Sequence, residues 1–136
     1  MSILGPLDWH RFAYGDFTDP VRVSRLDDGL VRMLRASDDR VMIHPQYAPK
    51  LVFKHGMLPM HLPLLPLCVE AGTVLRTKDG TLSFFYDEQV VFGKLFHLAI
   101  KTTGERHELW VMTFHKIDNA DYRRRLKRGE LLRIQD

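Results

Sequence analysis

From Thr73 onward, apolar and polar residues alternate with the period of two that a half-buried strand requires. The segments Thr73-Val74-Leu75-Arg76 and Thr81-Leu82-Ser83-Phe84-Phe85-Tyr86 flank Lys78-Asp79-Gly80, whose Asp-Gly pair is a strong hairpin signal. A third strand is expected over about Val90 to Thr102, a turn at Thr103-Gly104-Glu105-Arg106, and a fourth strand from His107 to His115. With Gly104 and Glu105 at the centre of that turn, Lys101 stands opposite Glu108, Ala99 opposite Trp110, and His97 opposite Met112. Phe96, Leu98, Ile100, Leu109 and Val111 then form a dry face. His97, Lys101, Glu108 and Trp110 share the other face, where a ligand is expected.

Ahead of these strands the pattern is broken and short. Val41-Met42-Ile43 reads as a brief apolar strand after the Asp38-Asp39 turn. Pro49 suits the first turn of a helix and Gly56 its end, so Lys50 to His55 is expected to be helical. His61 to Ala71 predicts a second helix starting near Pro63, shortened or kinked by Pro66, and stopping before Gly72. In the first forty residues, Gly29 to Arg35 could be a helix capped by an aspartate, and Val21, Val23 and Leu26 a brief strand. Trp9, Phe12, Tyr14 and Phe17 are expected to cover part of the core through irregular chain or short strands. A last helix is legible in detail: Asp118 as N-cap, Ile117 and Tyr122 as a staple, Leu126 completing a narrow core stripe, and Gly129 as the stop. The fold class these signals imply is α+β: an N-terminal helical half packed on a four-stranded antiparallel sheet, with a C-terminal basic helix. One domain is expected over 1–136, with 1–40 as an extension and 41–128 as its core.

Composition changes this picture little, and charge changes it more. Hydrophobic residues make up 45% and charged residues 27%, a globular balance that excludes a disordered tail protein. Cys68 lies among Leu64, Leu65, Leu67 and Val69 and reads as a buried thiol. Without a basic-then-apolar leader or a long apolar run, the expectation is a cytoplasmic site of action, no membrane, and delivery by a carrier if the protein is exported. Between Lys116 and Arg128 six basic residues (Lys116, Arg123, Arg124, Arg125, Lys127, Arg128) face only Asp118 and Asp121. That surplus of four charges, in a chain of net charge +3, suits a polyanion such as RNA.

The chemistry is narrowed by elimination. Seven histidines are present, yet no His-Glu-x-x-His, Cys-x-x-Cys or carboxylate set has metal-ligand spacing, so no metal and no cofactor are expected. No glycine-rich phosphate loop and no serine nucleophile elbow is present either. What remains is His55 after Lys54 at a helix end, Lys101 ending the third strand, and Thr113-Phe114-His115-Lys116 running into the arginine-rich helix. Cleaving RNA without a metal needs a base, an acid, and cations or hydroxyl donors around the phosphate, and these residue types supply them.

The order of these pieces resembles the barnase/colicin/RelE-type ribonuclease superfamily, in the branch found in phage proteins and toxin tips. The matching segments are Val41-Met42-Ile43, Lys54-His55, Thr81 to Tyr86, Leu98-Ala99-Ile100-Lys101 and Thr113-Phe114-His115. The resemblance implies a metal-independent endoribonuclease, a toxin or phage-borne effector that leaves a 2′,3′-cyclic phosphate. His55 and His115 would be its acid and base. Lys101, Thr113 and the RNA-binding Lys54, Lys116, Arg123, Arg124 and Arg125 would hold phosphate, and an acidic immunity or antitoxin partner is plausible by analogy. The alternative is a noncatalytic module of the same fold that binds nucleic acid or protein. Alanine at Arg123, Arg124 and Arg125 together is expected to weaken RNA binding and flatten its salt dependence. Each lost phosphate contact would remove roughly 0.7 from the slope of log K against log salt. Anisotropy titrations across a salt series measure this, and an unchanged slope would mark the cluster as a solvated helix face.

Overall fold

Pro6 at its first position and Trp9, Phe12 and Ala13 on one buried face make the opening segment a helix, α1 (Pro6–Ala13). The irregular chain or short strands expected around Trp9 and Phe12 are therefore replaced by a short helix. The computed structural model describes residues 4, 6–105 and 107–136, with side chains for all of these except 6, 7 and 52–55. The chain continues through β1 (Val21–Arg25), α2 (Asp28–Leu34), β2 (Arg40–Ile43), α3 (Tyr47–His55), a 3₁₀ turn at Pro59–His61 and α4 (Leu64–Ala71). It closes with β3 (Thr73–Arg76), β4 (Leu82–Glu88), β5 (Lys94–Thr102), β6 (Leu109–Ile117), α5 (Asn119–Leu126) and β7 (Glu130–Arg133). Local chemistry accounts for the ends. Asp27 caps α2 by accepting from the Leu30 amide, Asp118 caps α5 by accepting from the Asp121 amide at 2.7 Å, and Gly56 ends α3 at φ 66°.

The sheet is larger than expected and differently built. It has seven strands in the order β1-β2-β6-β5-β4-β3-β7, and β2 runs parallel to β6 while every other neighbouring pair is antiparallel. The four-stranded antiparallel sheet under an N-terminal helical half is thus corrected to a seven-stranded mixed sheet with five α-helices among the described residues. The consecutive strands β3 to β6 are its centre. The first forty-three residues add β1 and β2 beyond β6, and Glu130–Arg133 adds β7 outside β3. Short edge strands of this kind carry little periodicity of their own, because pairing rather than sequence defines them.

Alternation along the central strands builds two faces. Val74, Leu82, Phe84, Phe96, Leu98, Ile100 and Phe114 point into the main core, where α1, α3 and α4 bring Trp9, Phe12, Leu51, Leu65 and Cys68. The chain ahead of β2 contributes to this core, since Phe12, Val23 and Leu26 are fully buried within it. The opposite face holds a smaller cluster of Leu75, Phe85 and Leu95, covered by Ile117 and by Tyr122 and Leu126 of α5. Only that part of the second face is roofed; the rest stays open.

The register between β5 and β6 also departs from expectation. The β5–β6 connection is longer than a two-residue turn: the Thr103 amide donates to the Glu108 carbonyl at 2.9 Å, and His107 sits at φ 52°. A bulge then leaves Met112 without a partner, so Lys101 faces Trp110, Ala99 faces Thr113, and His97 faces His115. The two histidines are therefore cross-strand neighbours.

Gly129 makes the link from α5 into β7 possible. A Cβ there would lie 2.7 Å from Leu75 Cγ and 2.8 Å from the Arg76 carbonyl oxygen. Gly129→Ala is expected to push β7 off β3 and destabilise the protein by about 1–3 kcal/mol, the usual range for overpacking. A urea titration with unchanged midpoint would show that this approach tolerates a methyl group.

Candidate active site

The open part of the second face is a cleft of about 870 Å³. Its floor is Ser83 of β4, His97 and Ala99 of β5, and Met112 and Thr113 of β6. One wall is the β3–β4 hairpin through Thr77, Lys78, Asp79 and Thr81; the other is α5 and its exit, through Asp121, Arg125, Lys127, Arg128 and Gly129. Both walls are set by local chemistry. In the hairpin, Asp79 accepts from the Thr77 hydroxyl and from the Thr81 amide, which holds the carboxyl below its ordinary pKa range. In α5, Asp121 pairs with Arg125 at 3.3 Å and with Arg124 at 3.6 Å. Against the raising effect of its burial, these guanidiniums keep the Asp121 carboxyl below its usual range. The ion pair also fixes Arg125 at the cleft wall.

Across the floor runs a chain of hydrogen bonds. Ser83 Oγ is 3.1 Å from His97 Nε2, His97 Nδ1 is 3.3 Å from His115 Nε2, and His115 Nδ1 is 3.1 Å from the Lys116 carbonyl oxygen. The terminal carbonyl can only accept, so His115 carries its proton on Nδ1. His97 Nδ1–H then donates to His115 Nε2, and the Ser83 hydroxyl donates to His97 Nε2. One carbonyl thereby orders three donors in series. His97 stacks on Phe85 at a centroid distance of 4.8 Å and is 3% exposed. Burial, with Arg125 and His115 nearby, lowers its pKa to about 3, so the ring is neutral at ordinary pH.

The residues picked from the sequence divide sharply. Thr113 and Arg125 line this cleft, and His115, outside its lining, is hydrogen-bonded to His97 of the floor. Lys101 is exposed on the same face beside Trp110, outside the cleft lining. Lys116 pairs with Phe96, and its charge helps to lower the pKa of His61, itself depressed chiefly by burial; that places Lys116 toward the helical side of the sheet. Arg123 and Arg124 are exposed on α5. The side chains of Lys54 and His55 lie outside the described residues; the helix that carries them packs on the opposite face, through Ala48 and Leu51. Ser83, Asp121 and Thr81 are not among the residues picked from the sequence, and His97 was expected on this face opposite Met112, not His115. The available signal was Ser83 itself, a hydroxyl set between the apolar Leu82 and Phe84.

Among the described residues no cluster of histidine, cysteine and carboxylate groups could hold a metal ion, and no helix is long and apolar enough to cross a membrane. Comparison of the chain with protein-family models, with curated proteins and with solved structures finds no match.

The neutral His97 couples folding to pH. Its pKa is about 3 in the fold against about 6.5 when unfolded, so the unfolded chain binds the extra proton between those values. The contribution of His97 is complete above about pH 6.5 and is lost as the pH falls towards 3, at a slope of up to about 1.4 kcal/mol per pH unit. Urea midpoints measured between pH 7 and pH 4 are expected to fall less steeply for His97→Gln than for the native chain. Parallel slopes would show that His97 is not the group responsible.

Proposed function

We propose that the cleft binds RNA and cleaves it without a metal ion, by attack of a ribose 2′-hydroxyl on the adjacent phosphate to give a 2′,3′-cyclic phosphate. The observation that carries this reading is the Ser83–His97–His115 chain at the floor of a cleft walled by Arg125, Lys127, Arg128 and Lys78. The resemblance to metal-independent ribonucleases supports it through Thr113 and His115.

In the proposed reaction Ser83 Oγ takes the 2′-hydroxyl proton while passing its own to His97 Nε2, and His97 passes its Nδ1 proton to His115 Nε2. The 2′-oxygen forms its bond to phosphorus and the bond to the 5′-oxygen breaks, the leaving oxygen taking a proton from solvent at the open mouth. Arg125 offsets the charge that builds on the phosphate, and the Thr113 hydroxyl donates to a phosphate oxygen. A pair of imidazoles suits this work because a ring can accept a proton on one nitrogen as it releases one from the other.

Ser83→Ala and His115→Ala are each expected to lower RNA cleavage by about 10²–10⁴-fold, and Thr113→Val by less. Cleavage by the native chain should persist in EDTA and leave cyclic-phosphate ends. Gel analysis of a labelled RNA, with circular dichroism to confirm folding, measures both. Loss of activity in EDTA would overturn the mechanism. RNA binding without any cleavage would favour a noncatalytic binding module.

A further inference from the structure

A second pocket of about 290 Å³ opens on the same sheet face, beyond the cleft toward β2. Trp110 of β6 and Met42 of β2 are register partners within its lining, Pro20 lies beside them, and the carboxylates of Asp38 and Glu108 complete it with Arg40. The two acids are not equivalent. Asp38 is bound to Arg40 through the side chain at 2.8 Å and through the Arg40 amide, whereas Glu108 is in no ion pair among the described residues, although its charge acts on Arg40. Two buried donors on this face, Trp110 Nε1–H and Arg22 Nε–H, have no acceptor among the described residues, and Arg22 is the register partner of Met42. Buried donors without acceptors are destabilising and uncommon in native structures. Lys101, opposite Trp110, adds an exposed cation between this pocket and the cleft.

An aromatic ring beside cations, with a carboxylate available to accept, is the equipment of a nucleobase site. We infer that this pocket is a base subsite for single-stranded nucleic acid, with Trp110 as the stacking surface and Glu108 as acceptor for an exocyclic amino group. It takes cytosine or adenine in preference to uracil, which has no amino group to donate. This inference rests on the ribonuclease reading for the strand that crosses the cleft. Trp110 precedes Thr113 by three positions on one strand, about 10 Å, the span of about three stacked nucleotides. One strand can therefore reach both places.

Deoxyoligonucleotides test the subsite separately from catalysis, since without a 2′-hydroxyl they cannot be cut by the proposed route. Titrating the full chain with oligo(dC), oligo(dA) and oligo(dU) reads Trp110 emission, because Trp9 is buried on the other face at 4% exposure. The expected result is quenching by oligo(dC) and oligo(dA), with affinity about 5–150-fold above that for oligo(dU). Glu108→Ala should collapse that preference, and Trp110→Leu should weaken binding of all three. Trp110→Phe, which keeps a ring and is the milder change, should retain the base preference by anisotropy. Equal affinity for the three oligomers, or a preference that survives Glu108→Ala, would overturn the subsite. RNA cleavage that is indifferent to base and to Trp110→Leu would overturn it while leaving the ribonuclease reading in place. Base-selective binding by a chain that cuts no RNA would support the subsite and overturn that reading.

Discussion

The pairing of β5 with β6 is the constraint on which the rest of the molecule depends. The bulge that leaves Met112 over brings His97 opposite His115 and Thr113 opposite Ala99. Without it, one strand would slide against the other and its side chains would change faces. The same β6 accepts β2 in parallel on its far side, so the strand that builds the candidate site also joins the N-terminal residues to the sheet. Fold and site are specified by one ladder.

The site sets buried neutrality against exposed charge. His97 is stacked on Phe85 and held in a fixed tautomer from behind, while Arg125, Lys127 and Arg128 stand on the wall in front. Burial and, after it, the nearby Arg125 disfavour a charged imidazole, so the His97 ring is uncharged at ordinary pH. In the proposed reaction a phosphate in the cleft would offset those cations, coupling binding to proton transfer through electrostatics.

The sequence made the central elements legible wherever the signals were local. The Asp79-Gly80 turn, the Gly56 stop and the Asp118 cap are encoded within a few residues, and each stands where expected. The long-range decisions were not legible. β1, β2 and β7 belong to the sheet because of partners far along the chain, and β2 joins β6 in parallel, which no hairpin signal announces. The site followed the same division. Thr113, His115 and Arg125 could be picked by residue type next to a basic helix. Ser83 and His97 acquire meaning only through a register that a longer turn and a bulge displace. The His55 side chain lies outside the described residues; the helix that carries it packs on the opposite face through Ala48 and Leu51, a tertiary fact that no local signal encodes.

The parallel contact of β2 with β6 also bears on how the chain reaches its fold. During synthesis the β1–β2 ribbon emerges early, and its inner edge waits for β6, which appears only after most of the chain has been made. At ordinary translation rates that wait lasts seconds, with an apolar strand edge at Val41 and Ile43 unpaired throughout. Contacts so distant in sequence also slow the final assembly, because the loop between them must be closed before they form. The nascent protein therefore passes through a stage of vulnerability to aggregation that its finished surface does not reveal.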